Sequence, residues 1–206
     1  AATADPVTYW EAAAHQLEWS TPWHIALDKS NPPFYRWFVG GETNICFNAI
    51  DRHVLAGNGD KTALIWEGSE PGETRRFTYA ELQREVSRIA SGMQNMGLKQ
   101  GDRVIIFMPM VPEALMTMLA CWRAGITFSV IFSSFKAEDI KERIKHTGAR
   151  AVFTADGFNR AGKNFALKAT IDQAVEGTTV EKVVMLTNDR SKPTLQPGRD
   201  INWDTL

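Results

Sequence analysis

The stretch Gly101 to Phe132, GDRVIIFMPMVPEALMTMLACWRAGITFSVIF, constrains the fold more than any other. Its pattern is strand, turn, helix, turn, strand. Arg103 to Phe107 is a short apolar run rich in β-branched residues, opened by the turn pair Gly101-Asp102. Pro109 and Pro112 punctuate the next segment, and proline suits the first turn of a helix, where its missing N–H is not needed. Leu115, Met118, Leu119 and Trp122 recur at helical spacing and predict the buried face of that helix. Gly125 ends it, and Ile126 to Phe132 is a second, nearly all-apolar run. Two apolar strands joined by a helix make a βαβ unit. Strands buried on both faces imply a parallel sheet covered by helices. Ligands of open α/β sheets bind outside the carboxyl ends of the strands, so the residues just after Phe107 and Ile131 are the first candidates for a site.

The flanking chain extends this pattern. A helix is predicted from about Thr8 to Trp19, with Trp10, Ala13, Ala14 and Leu17 on one face. Asn31-Pro32-Pro33 breaks the chain, and Phe34 to Gly41 is dense in aromatics. This arm is read as holding itself to the main body through large apolar side chains. Asn44 can cap a helix running to about Leu55, with Gly57 after it. Within that helix Asp51-Arg52-His53 reads as an anchor rather than as an acid–base group. Thr62 to Glu67 and Arg76-Phe77 read as strands. Thr78-Tyr79-Ala80-Glu81 is a capping box, behind which Leu82, Val86, Ile89, Met93 and Met96 mark one helical face up to Gly97. A helix from Ala137 to Thr147 turns Ile140 and Ile144 inward and stops at Gly148. Ala151–Thr154 and Val180–Leu186 read as strands around a helix from Leu167 to Val175, and Asp189 to Asp200 as a polar loop. Strands and helices alternate with short crossovers, as one parallel sheet requires.

Charge and cysteine usage exclude several classes. Lys plus Arg number 23 against 24 for Asp plus Glu, a net charge of −1. That balance gives no electrostatic case for nucleic acid or an acidic membrane surface. Cys46 and Cys121 lie far apart, and no apolar run approaches the ~20 residues that span a bilayer. These features fit a reducing, cytoplasmic setting better than a disulfide framework. The N-terminus has neither a signal-peptide pattern nor an initiator Met, which reads as a processed chain or one cut from something longer.

Two loops carry candidate chemistry. Gly157 to Asn164, GFNRAGKN, follows the Ala151–Thr154 strand and matches the nucleotide-binding loop GxxxxGK[ST] except at Asn164, which lacks the hydroxyl that a magnesium ion needs. A P-loop protein is one alternative. A looser reading is that Arg160 and Lys163 present two cations to a phosphate group at the carboxyl end of a strand, and a bland one is a solvated basic loop. Phe132-Ser133-Ser134-Phe135 follows the strand of the βαβ unit. Its small hydroxyl residues leave room for a ligand near a helix start, or else a serine caps that helix between two core aromatics. His15, His24, His53 and His146 share no metal-ligand spacing, and no GxSxG elbow supports a serine hydrolase.

A set of stretches resembles one family. They are Trp37-Phe38-Val39-Gly40-Gly41 with Asn44, Asn48 and Asp51-Arg52-His53; Ala63 to Glu67; Phe77-Thr78-Tyr79; Gly101 to Val104; Met108-Pro109-Met110 with Pro112-Glu113-Ala114; and Met118 to Cys121 with Arg123 and Gly125. In this order they resemble the N-terminal part of the AMP-forming short-chain acyl-CoA synthetases, the acetyl- and propionyl-CoA synthetases. The resemblance covers nearly the whole chain from about Trp19. It implies the adenylate-forming fold, with residues 1–58 an aromatic-rich extension and 59–206 the first portion of the large domain. It implies a ligase that joins a short-chain carboxylate to ATP as an acyl-adenylate and passes the acyl group to coenzyme A, with magnesium held outside this chain and a homo-oligomer among the possible assemblies. In the family, the loop at Phe132, Ser133 and Ser134 and the loop of Arg160 and Lys163 lie near the nucleotide end of coenzyme A. Glycines usually stand where this chain has Ser133 and Ser134. The family's ATP-phosphate loop and adenylation lysine have no counterpart here, so the chain reads as an N-terminal fragment, predicted to be inactive alone. A non-catalytic scaffold and a ligase module of a larger fusion enzyme are the further alternatives.

Overall fold

The computed structural model describes residues 2–69, 72–160, 163–189 and 191–206, without the side chain of Arg160. It divides into two units, Ala1–Gly59 and Asp60–Leu206.

In the first unit α1 (Pro6–Ala14) starts on Asp5, whose carboxylate accepts the Thr8 N–H at 3.1 Å. The helix starts two residues earlier and ends five residues earlier than its periodicity predicts. The Trp19 indole N–H takes the Ala14 carbonyl at 2.9 Å, and Asn48 takes both backbone groups of Glu18, so side chains end the helical ladder. Strands β1 (Ile25–Asp28) and β2 (Arg36–Val39) pair antiparallel. Trp19, Trp23 and Phe38 pack on one another at centroid distances of 4.9 to 5.6 Å. Asn44 accepts the Phe47 N–H at 3.1 Å, as a cap should. The helix behind it runs over residues 45–58 but in wide π-type turns, Phe47–Asp51 and Val54–Asn58. Asn48 Nδ2 donates to the Asn44 carbonyl at 3.2 Å, inserting a side chain into the ladder there. Arg52 donates to the Gln16 carbonyl at 2.8 Å, an anchoring contact.

The second unit begins with the antiparallel hairpin β3 (Thr62–Glu67) and β4 (Thr74–Thr78). The capping box forms: the Glu81 carboxylate accepts the Thr78 N–H at 2.8 Å, and Thr78 Oγ1 accepts the Glu81 N–H at 3.2 Å. Helix α2 (Tyr79–Asn95) buries Leu82, Val86, Ile89 and Met93, the face that the spacing marks. Next come β5 (Arg103–Phe107), α3 (Pro112–Ala124), β6 (Thr127–Val130), α4 (Ala137–Thr147) and β7 (Ala151–Ala155). Two three-residue strands come after β7, β8 (Phe158–Arg160) and β9 (Lys163–Phe165), then α5 (Leu167–Ala174), β10 (Lys182–Leu186) and β11 (Asp200–Asn202). The sheet order is β11-β10-β7-β5-β6, all parallel. From β5 the chain crosses to one side and then returns past β5 to β7. Right-handed crossovers in opposite directions put α3 on one face and α4 on the other. Accordingly α3 packs with α2, and α4 with α5.

Two features of the central unit differ from its periodicity. Strand β6 is short and forms the sheet edge, so Val130 is 51% and Phe132 79% exposed instead of buried on both faces. Helix α3 buries Met116, Thr117, Ala120 and Cys121 along with Leu119, while Leu115 and Met118 are half-buried and Trp122 rests against Phe128. A helix wedged between a sheet and α2 hides a broader arc than the four large side chains indicate, and small residues allow that close approach. Gly125 ends α3 in the left-handed region at φ 67°. On the other face Ile140, Ile144, Leu167 and Ile171 close over Ile105, Phe107, Val152 and Val183. Each such side chain contributes about 1.5–3 kcal/mol on burial. The polar loop predicted up to Asp200 ends in β11. There the buried Lys168 ammonium sits 2.6 Å from Asp172 and 2.7 Å from Asp200, and Arg199 pairs with both carboxylates.

Candidate functional site

The reversal of winding at β5 makes its carboxyl end, beside that of β7, the switch point of the sheet, where open α/β folds place ligands. Of the segments that leave the sheet on that side, those after β5, β6, β7 and β10 carry the candidates. After β5, Met110 is 90% exposed, and its carbonyl accepts the Trp66 indole N–H at 2.7 Å. After β6, Phe132 to Phe135 forms a tight turn closed by the Phe135 N–H on the Phe132 carbonyl at 3.1 Å. After β7 come Asp156 and the β8–β9 hairpin, and after β10 come Asn188 and Asp189.

The hairpin is tied down at its root. Phe158 and Phe165 stack at 4.9 Å with their planes 12° apart, and Phe158 packs against the core. Asp156 is 1% exposed, and its Oδ1 accepts three backbone N–H groups: Gly157 at 2.8 Å, Asn188 at 2.7 Å and Asp189 at 3.0 Å. Its Oδ2 has no hydrogen-bond partner among the described residues. Asn188 Nδ2 donates to the Gly157 carbonyl at 2.9 Å. Asn164 Nδ2 bridges Asn159 Oδ1 at 3.1 Å and Asp189 Oδ2 at 2.7 Å. The register sets Arg160 opposite Lys163. Lys163 is exposed and has no ion-pair partner among the described residues, so its charge is open to an anionic ligand. The side chain of Arg160, with Ala161 and Gly162, lies outside the described residues.

This geometry corrects two sequence readings. A phosphate loop of the GxxxxGK type runs from a strand straight into a helix. Here Phe158–Arg160 and Lys163–Phe165 are strands, and α5 starts only at Leu167. Nor does a serine cap α4: its N-cap residue is Lys136, and Phe132 is no core aromatic. Phe132, Ser133 and Ser134 leave the edge strand β6, with β5 between it and β7, after which the hairpin follows, a separation of about 10 Å at two strand spacings. A cavity of about 420 Å³ opens between β6 and α4, against Ser129, Phe135, Asp139 and Arg143, and neither Ser133 nor Ser134 lines it. The residues that sequence reasoning missed are Asp156, Asn188, Asp189 and the bridging role of Asn164. The pair Asp156-Gly157, a turn signal right after an apolar strand, was the available clue.

Residues 51–203 match the family model described as AMP-binding enzyme, and residues 1–49 match that of the acetyl-coenzyme A synthetase N-terminus. The chain belongs to the AMP-binding enzyme family. It is 44% identical over 204 residues to an acetyl-coenzyme A synthetase of Mycolicibacterium smegmatis, covering 98% of this chain and 22% of that protein. To the acetyl-coenzyme A synthetase of Streptomyces avermitilis it is 46% identical, over 100% of this chain and 31% of the relative. The solved acetoacetyl-CoA synthetase from Streptomyces lividans superposes with a TM-score of 0.88 at 25% identity, over 98% of this chain and 31% of that one. The chain thus spans less than a third of the length of these relatives. Among the described residues, no helix is long and apolar enough to cross a membrane.

Proposed function

We propose that this chain is the coenzyme A-binding portion of an AMP-forming acyl-CoA ligase. In the complete protein a short-chain carboxylate of the acetate and propionate class attacks the α-phosphate of ATP, releasing pyrophosphate, and the thiol of coenzyme A then displaces AMP from the acyl-adenylate. Magnesium accompanies ATP in this reading, and no residue of this chain is assigned to it. The observation that carries the proposal is the hairpin at the carboxyl end of β7, with Lys163 exposed and without an ion-pair partner among the described residues, in a chain whose relatives are acetyl-coenzyme A synthetases. Coenzyme A has a 3′-phosphate and a diphosphate, and in this reading Arg160 and Lys163 are the cations that receive them. Phe132, Ser133 and Ser134 supply an apolar ring and hydroxyls toward the adenosine. A cytoplasmic setting and assembly into a homo-oligomer belong to the same reading.

The test is a pair of assays on the complete protein. Acetate- or propionate-dependent exchange between ATP and pyrophosphate is expected without coenzyme A, and stoichiometric AMP and acyl-CoA with it. Exchange with no carboxylate preference, or ADP as the product, overturns the reading.

A further inference from the structure

Two three-residue strands make no stable hairpin by themselves, so contacts outside β8 and β9 must hold it. At the root these are the core-packed Phe158 and the Asn188 amide. Toward the tip, the only such side-chain bond among the described residues runs from Asn164 Nδ2 to Asp189 Oδ2. Asp189 is itself fixed, since its N–H donates to the buried Asp156 and its Oδ1 accepts the Ser191 N–H at 2.9 Å. Burial works to raise the pKa of Asp189, and the hydrogen bonds from Asn164 and Ser191 outweigh it, so the carboxylate is charged at neutral pH. Neighbouring residues of a strand face opposite ways. With Asn164 turned to Asp189, Lys163 faces the other side, away from the anchor.

We propose that Asp189, acting through Asn164, is the positioning residue that sets the angle of the hairpin and so aims Lys163 at the phosphates of coenzyme A. This rests on the coenzyme A site proposed above. Loss of the anchor leaves Lys163 in place chemically but lets the strand that carries it swing. The cost then falls on coenzyme A binding and spares the adenylation step, which does not use coenzyme A.

The experiment uses the complete protein and five variants: Asp189→Ala, Asp189→Asn, Asn164→Ala, Lys163→Ala and the Asp189→Ala/Asn164→Ala double variant. KM for coenzyme A and the rate of ATP–pyrophosphate exchange are measured for each, along with hydrogen exchange across residues 158–165. Asp189→Ala is expected to raise the KM for coenzyme A by roughly three- to tenfold, the net worth of about one ordinary hydrogen bond, with the exchange rate unchanged. Asp189→Asn keeps an acceptor oxygen and should restore most of the loss. The Asp189→Ala/Asn164→Ala double variant should be no worse than either single one, because both break the same bond. Hydrogen exchange should quicken in the hairpin and not in β7. A raised KM in Lys163→Ala beside an unchanged KM in Asp189→Ala overturns the positioning role and leaves the site standing. An unchanged KM in Lys163→Ala removes the site, and the positioning role with it. Equal loss in both half-reactions without rescue by Asp189→Asn makes the residue merely structural and also overturns the proposal.

Discussion

At Gly157 a methyl group would overlap the Asp189 carboxylate and lie 2.6 Å from the Phe165 carbonyl oxygen. The residue is buried between two segments that converge on it, so neither can retreat cheaply. Gly157→Ala is therefore expected to destabilise the protein by about 1–3 kcal/mol, the usual cost of overpacking, and to raise the KM for coenzyme A as the hairpin shifts. Denaturant unfolding beside steady-state kinetics checks this, and wild-type stability in the variant would contradict it. By contrast Cys121 has no chemical role open to it: burial pushes its thiol up to about 12. Its presence in the sequence signalled a reducing compartment, while the structure makes it a small core residue of α3.

Among the elements, the amino-terminal end of the sheet is closed by Arg150. Its guanidinium bonds Asp102 at 2.7 Å, Glu181 at 2.9 Å and the Gly97 carbonyl at 3.2 Å, joining the entries of β5, β7 and β10 to the end of α2. The Lys99 N–H and then Arg150 hold Asp102 below its ordinary 3.8, and Arg150 holds Glu181 below its ordinary 4.5. Depressed carboxylates stabilise the fold above those ordinary values and lose that contribution as the pH falls through the lowered ones. Arg150→Gln should thus lower the melting temperature at neutral pH, with the gap to wild type narrowing as the pH falls below the ordinary carboxylate range. A gap independent of pH would show that the clamp acts by packing alone. Legibility in the sequence differed by element for physical reasons. Helix α4 and strand β5 were readable to the residue because caps, glycine and apolar spacing are local signals. The exposure of β6 was not, since an edge is defined by which strands lie beside it. Strands β8, β9 and β11 have three residues each, too few to show a period. The anchor Asp189 sits in a stretch that reads only as polar loop, and its role exists only because β10 delivers it beside β7.

For the molecule as a whole, a parallel sheet with a reversal of winding at β5 brings a cationic hairpin, a serine-bearing turn and an exposed methionine to one side. The family and general fold were legible because the matching stretches run the length of the chain. The placement of the hairpin was not, because GFNRAGKN has the letters of a phosphate loop while Phe158–Arg160 and Lys163–Phe165 are strands. The central claim is that this hairpin serves coenzyme A and not adenylation. The direct measurement compares both half-reactions in the complete protein for wild type, Arg160→Ala and Lys163→Ala, using coenzyme A and then dephospho-coenzyme A. The account predicts unchanged ATP–pyrophosphate exchange. It predicts a KM for coenzyme A raised roughly tenfold or more by Arg160→Ala and less by Lys163→Ala, since a fork loses more than a point charge. Both differences should shrink with dephospho-coenzyme A. Equal damage to the two half-reactions, whichever thiol is used, would contradict it.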